Sequence, residues 1–307
     1  MIPSRLIRPA SLWKRLPSRL NSTLAESRQA FLEPLHEYPG ITCLCLNRPQ
    51  SKNAISTTLL KELLESLDVA QFDKSIRVLI LRSTTLGSFC AGADLIERRS
   101  MSQVQVAKFL SDVRTALGKL ETLPMPTIAA IDGPALGGGL EMAISCDLRV
   151  AGHSVSKIGL PETGLGIIPG AGGTQRTTRL LGLAKAKDLI FTARMLSAPE
   201  ALEWGLVDYV SAPESSAFKR ATQLATQIAK NGIHVFLRAI FWMLIYSKQA
   251  PLALRAAKQA ISRSEDLALE PGLDFERASY EILLSTKDRT EALVAFKEKR
   301  PPVFKGE

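Results

Sequence analysis

Histidine is scarce in this chain. His36, His153 and His234 are the only three in 307 residues. They stand in unrelated contexts, and none accompanies a serine or cysteine placed as a nucleophile, which argues against a Ser-His-Asp hydrolase. Four cysteines do not make a disulfide framework in a chain this long. None is spaced with histidines as a zinc site requires, so no metal is expected; a reducing compartment fits. Cys43 and Cys45 alternate along an apolar run and share one face of a strand, and Cys90 has no activating base in its motif and reads as packing. No apolar run reaches the roughly eighteen residues needed to cross a bilayer. Internal repeats and low-complexity tracts are also missing. Acid is missing locally: residues 1–22 carry Arg5, Arg8, Lys14, Arg15 and Arg19 and no Asp or Glu. More than half of the formal charge of +9 therefore lies there, and the charge is a poor argument for nucleic acid. An acid-free segment rich in Arg and Ser has the composition of a mitochondrial transit peptide. Residues 1–30 are accordingly read as leader and lead-in, with the mitochondrial matrix as the expected location.

What remains is ordered by short β-branched runs alternating with helical patterns. "ITCLCL" (41–46), "RVLILR" (77–82) and "TIAAI" (127–131) read as strands, with 147–151 and 157–160 as weaker candidates. Residues 56–70 place apolar side chains at 59, 60, 63, 64 and 67 behind Ser56 as an N-cap, and 102–121 form a second helix. Strand–helix alternation predicts an α/β core over residues 36–210. Beyond about 183 the periodicity is helical, which predicts a C-terminal helical subdomain over 211–307.

The stretch "IDGPALGGGLEMA" (131–143) puts its glycines immediately before a helix and Glu141 in the first turn. Such a turn lets a ligand approach the backbone and leaves N–H groups unpaired at the positive end of the helix, a setting suited to a developing oxyanion. On the glycines alone, a tight strand-to-helix turn with a solvated glutamate explains the stretch equally well. No Lys-Ser/Thr follows, so it is not a phosphate loop, and in "GAGGTQ" (170–175) Gln175 occupies the place of the last glycine of a dinucleotide fingerprint. Two other stretches extend the pattern. "FCAGAD" (89–94) is a second small-residue turn after a strand. "GLPETGLGIIPGAGGT" (159–174) carries a second carboxylate, Glu162, ahead of a Gly-rich loop. Two turns offering N–H groups and two separated carboxylates can polarise a carbonyl and move protons at adjacent carbons.

Together, "FCAGAD", "GGGLE" and "PETGLGIIPGAGGTQR" resemble the crotonase (enoyl-CoA hydratase) superfamily from about Ile41 to the C-terminus. The tail "TKDRTEALVAFKEKRPPVFKGE" (286–307) is most similar to the mitochondrial methylglutaconyl-CoA hydratase branch, which acts in leucine breakdown. The resemblance implies a crotonase-type stack of βαβ-type units with a C-terminal helical region, assembled as trimers or paired trimers. It also implies hydration of a 2-enoyl-CoA thioester, with coenzyme A as part of the substrate and no separate cofactor. The N–H groups of Ala93 and Gly138 would form the oxyanion hole, and Glu141 and Glu162 would hold the water and deliver the proton. Gly170 would help position substrate or Glu162. Ala91, Asp94 and Leu95 would lie near the CoA adenine, and Lys52, Asn53 and Ala54 would line the CoA entrance. A methylglutaconyl group carries a distal carboxylate and calls for a cationic or polar group facing the acyl pocket. General short-chain enoyl-CoA hydration or isomerisation is the alternative within the family.

Three departures accompany the resemblance. Glu141 and Glu162 stand one position farther apart than the family pattern; a loop at 152–156 can absorb the residue, whereas a register slip would remove Glu162 from the site. RNA binding, an activity of a relative in the same branch, is disfavoured: the helix positions one turn apart are Thr57, Lys61 and Glu65, a poor phosphate track. Finally, Gly232–Gln249 interrupts the family pattern with an apolar segment bearing Phe236, Phe241, Trp242 and Tyr246. It reads as a translated intron, an inserted surface-covering helix or a lengthened core helix.

Overall fold

The computed structural model of the chain describes residues 28–229, 250–264, 266–300 and 302–307. The interrupting segment at 232–249 and nearly all of the basic leader lie outside these residues. Six strands form the main sheet in the order β1-β2-β3-β4-β6-β8. β1 (Ala30–Pro34) is antiparallel to β2 (Ile41–Leu46), and β3 (Val78–Ser83), β4 (Thr127–Ile131), β6 (Leu148–Ala151) and β8 (Tyr209–Val210) follow in parallel. A second, two-stranded sheet pairs β5 (Ala135–Leu136) with β7 (Ile158–Gly159).

The central strands read as mainly apolar runs because both faces are covered, as parallel sheets require. One face presents Leu44, Leu46, Leu79, Leu81, Ala129 and Ile131. Against it lie α1 (Thr57–Phe72), through Leu59, Leu63 and Leu67, and a later helix, Gln103–Glu121, through Val113, Leu117 and Leu120. The opposite face presents Ile41, Cys43, Cys45, Val78, Ile80, Ile128 and Ala130 to Ala217, Ala221, Leu224 and Ala225 of the helix Ala217–Ala229. Alternate side chains of one strand thus enter two different cores, and Cys43 and Cys45 share a face. The helix at 217–229, in the stretch read as C-terminal and helical, is a covering layer of the sheet.

Local chemistry sets the helix ends. Ser56 Oγ accepts from Leu59 N at 3.1 Å and starts α1. Short helix α2 (Leu95–Arg99) precedes α3 (Gln103–Glu121), where Ser102 and Gln105 form a reciprocal capping box. The remaining helices are α4 (Gly138–Ile144), α5 (Gly173–Leu181), α6 (Leu183–Phe191), α7 (Ala198–Trp204), α8 (Ala217–Ala229), α9 (Pro251–Arg263), α10 (Leu269–Glu281) and α11 (Lys287–Lys297). Among the described residues no helix is long and apolar enough to cross a membrane.

β1 departs from the sequence reading, which ends the lead-in at residue 30 and starts the core at 36. Ala30 is fully buried and pairs with Leu46. The backbone N–H groups of Gln29 and Ala30 donate to the Glu62 carboxylate of α1. An edge strand needs only one apolar face, so "AFLEP" lacks the continuous hydrophobicity that marks the central strands.

Candidate active site

Loops leaving the C-terminal ends of β3, β4 and β6 converge, the place where open parallel sheets form crevices. The β3 loop carries Ala91–Asp94. Gly92 has φ +92, and a methyl group there would lie 2.8 Å from the Leu136 carbonyl, so only glycine lets the β3 and β4 loops close on each other. Backbone bonds fix the turn: Ala91 N donates to Lys52 O at 3.0 Å, Ile55 N to Gly92 O at 2.7 Å and Asp94 N to Ile55 O at 3.0 Å. That leaves the Ala93 N–H turned toward the start of α4. A methyl on Gly138 would stand 3.7 Å from Ala93 N, and one on Gly92 would stand 3.5 Å from Gly138 N. Neither N–H, of Ala93 or of Gly138, donates a hydrogen bond among the described residues. Two free donors therefore face one space.

Both carboxylates reach that space. Glu141 is 3% exposed, against the solvated glutamate that the glycines alone allowed. Its Oε1 accepts from Ala171 N at 2.8 Å and Gly173 N at 2.7 Å. Burial raises its pKa; the two N–H bonds and the charges of Arg176 and Arg114 oppose the rise. Glu162 begins a 3-10 turn, Glu162–Leu165, that follows β7. Its Oε2 is buried with no hydrogen-bond partner. Burial, with the neighbouring Glu141 charge, pushes its pKa up to about 7. Gly137 (φ +50) makes room for it, since a methyl group there would lie 2.7 Å from Glu162 Oε1. The 152–156 loop, able to absorb the extra residue between the glutamates, is a turn closed by Val155 N donating to Gly152 O at 3.0 Å. β7 keeps its register with β5.

Glu141, Glu162, Ala93, Gly138 and Gly170 line one cavity of about 550 Å³, together with Ala91 and Leu95. Lys52, Asn53, Ala54 and Asp94 are absent from its walls. Asn53 corrects the sequence reading: its side chain is fully buried and cannot line an entrance. Its Nδ2 donates to Ser83 Oγ and Phe89 O, and its Oδ1 accepts from Arg48 N and Thr85 Oγ1. It locks the 48–55 turn, in which Lys52 and Asn53 both adopt positive φ. The Asp94 carboxylate is likewise committed. It caps α2 through Ile96 N and Glu97 N and pairs with Arg48 at 2.7 Å. The Glu97 N–H bond, more than the Arg48 charge, holds its pKa below the usual range. Cys90 is buried, its Sγ 3.0 Å from Asn53 O, with its pKa pushed to about 12 by burial, which suits packing.

The sequence reading missed the walls and the supports. Val106, Phe109, Leu110 and Val113 of α3 line the cavity at helical spacing, a signal present in the sequence but shared with any core helix. Arg98 and Arg114 supply cations. The Ala171 and Gly173 amides that hold Glu141 come from the Gly-rich loop, whose backbone role no side-chain pattern reveals.

Known proteins resemble this chain along most of its length. The enoyl-CoA hydratase/isomerase family model matches residues 36–307. An enoyl-CoA isomerase/hydratase of Mycosarcoma maydis is 49% identical over 293 residues, covering 92% of this chain and all of that protein. Human mitochondrial methylglutaconyl-CoA hydratase is 44% identical over 297 residues, covering 96% and 81% of the two chains. The crystal structure of an enoyl-CoA hydratase from Bacillus anthracis superimposes with a TM-score of 0.81 at 42% identity, covering 91% of this chain and all of that one.

Proposed function

The chain belongs to the enoyl-CoA hydratase/isomerase family, and from that premise we propose that it adds water across the double bond of 3-methylglutaconyl-CoA through Glu141 and Glu162. The enzyme is a hydro-lyase of that family. The observation that carries the proposal is the meeting, in one cavity, of two buried carboxyl groups with two N–H donors that have no acceptor of their own.

In this reading the thioester oxygen sits between the N–H groups of Ala93 and Gly138, at the N-terminus of α4. Attack at the β-carbon pushes charge onto that oxygen, and donors already aimed at it need no reorganisation. Glu141, held by two amides, is the member of the pair suited to stay ionised and accept a proton from water. Glu162 has no amide on its buried Oε2 and, with its raised pKa, carries a proton near neutrality. It gives that proton to the α-carbon while the hydroxyl bonds to the β-carbon. The pair then holds one proton, as at the start, now on Glu141, and transfer through solvent restores Glu162. Ala91, Leu95 and Gly170 border the path of the CoA thioester.

The methylglutaconyl assignment draws on the relatives that bear that name and on the cations of the cavity wall. A mitochondrial location draws on the basic, acid-free leader and on the same relatives. Assembly as trimers or paired trimers is part of the same proposal.

Hydration of crotonyl-CoA and 3-methylglutaconyl-CoA by the purified protein, followed by loss of enoyl-thioester absorbance, tests it. Both should turn over, with the higher kcat/KM on 3-methylglutaconyl-CoA. An equal or lower value on that substrate would make the protein a general short-chain enoyl-CoA hydratase. No hydration of either would sink the two-glutamate reading.

A further inference from the structure

Two cations on the cavity wall, Arg98 and Arg114, form no ion pair among the described residues, and Arg114 is the one tied to the Gly170 loop. Arg114 stands on α3, one turn beyond Leu110, and borders the space that holds Glu141 and Glu162. Its Nε donates to the Gly170 carbonyl at 2.8 Å. The guanidinium is thereby tied to the loop whose next residue, Ala171, donates to Glu141. Among the described residues no carboxylate pairs with Arg114, and its terminal nitrogens have no acceptor. Neighbouring cations are committed elsewhere: Arg176 to Glu121 at 2.7 Å, Lys258 to Asp147 at 2.8 Å and Arg48 to Asp94 at 2.7 Å.

Arg114, Ile168, Gly170 and Ala171 also border a second cavity of about 1020 Å³. Its walls carry Arg176, Arg255 and Lys258 among other cations, and among the described residues Glu121 and Asp266 are its only acids. Both acids already have partners, Asp266 facing Arg263 at 3.9 Å. Beyond the catalytic carboxyls the site thus opens toward positive potential, which concentrates anions.

We propose that Arg114 is the specificity-determining residue of this site, pairing with a carboxylate at the far end of the acyl chain, so that CoA monothioesters of short dicarboxylic acids are preferred over neutral acyl-CoAs. The inference rests on the hydratase reading, because that reading sets which end of the substrate meets the glutamates. In a five-carbon monothioester the distal carboxylate lies two carbons beyond the carbon that receives the hydroxyl. Its counter-cation must therefore stand beside the catalytic pair, and Arg114, anchored to the Gly170 loop, does. Two free terminal nitrogens suit a forked carboxylate contact. Arg98, the other cation on the wall, belongs to α2 and has no hydrogen bond to the Gly170 loop.

The test measures binding apart from catalysis. The purified full chain is titrated calorimetrically with glutaryl-CoA and valeryl-CoA, saturated thioesters that differ in carrying a terminal carboxylate or a methyl group and that cannot be hydrated. A hydrogen-bonded charge pair predicts about 10- to 100-fold tighter binding of glutaryl-CoA. Arg114→Met should abolish the preference, Arg114→Lys should keep part of it, and Arg98→Met should keep it. In turnover, Arg114→Met should lower the ratio of kcat/KM for 3-methylglutaconyl-CoA over crotonyl-CoA by a similar factor, mainly through KM. No preference in the wild type, a preference that survives Arg114→Met, or one lost in Arg98→Met would each overturn the assignment while leaving the hydratase reading of the wild type standing. Tight glutaryl-CoA binding without hydration of any enoyl-CoA would instead overturn the hydratase reading and leave the Arg114 pairing standing.

Discussion

Glu162 shows how a buried carboxyl group proposed for catalysis opposes the fold that holds it. Its folded pKa, about 7, lies above the ordinary 4.5. Between those values the folded chain binds a proton that the unfolded chain has released. Stability therefore falls as pH rises from 4.5 through 7, and the loss persists above. A neutral isostere escapes this cost. Glu162→Gln should be more stable than the wild type at pH 8 by about 1–3 kcal/mol, with the difference vanishing near pH 4.5. Urea unfolding at the two pH values checks this, and equal midpoints at pH 8 would show that the carboxylate is not strained by burial. Both glutamates were legible in the sequence because each sits beside glycines in a motif with few other uses. Asn53 was placed at the CoA entrance by the family resemblance alone, and its four bonds to Ser83, Phe89, Arg48 and Thr85 appear only in the folded chain.

At the scale of elements, caps and strand burial decide what a sequence reveals. β2, β3 and β4 were readable because burial on both faces leaves mostly apolar residues, and α1 because Ser56 precedes a regular stripe. β5, β7 and β8 are two residues long, too short for any period to register, and only β7 falls within a stretch, 157–160, read as a weaker strand candidate. The tie between α8 and the sheet is long-range and equally invisible. Asp132, directly after β4, accepts from Ala217 N at 2.5 Å and Phe218 N at 2.9 Å and so caps a helix 85 positions away. Asp132→Ala should destabilise the protein by about 0.5–2 kcal/mol, as lost N-caps do, because α8 packs on the central strands of one face of the sheet. Thermal or urea unfolding measures it, and an unchanged midpoint would mean that apolar packing alone seats α8.

On the scale of the molecule, the parallel sheet brings three loops from distant parts of the sequence to one edge, and the chemistry appears only there. Ala93, Gly138 and Glu162 mean little apart. Family resemblance allowed them to be read together, while the cavity walls from α3 and the cations at Arg98 and Arg114 needed the folded chain. The account stands on two carboxyl groups moving protons at adjacent carbons of a polarised thioester. Its most direct test is the rate of crotonyl-CoA hydration by the wild type, Glu141→Gln and Glu162→Gln, with binding of a saturated acyl-CoA measured alongside. Each variant should lose about 10²–10⁴-fold in kcat with little change in binding; near wild-type rates in both would contradict the account.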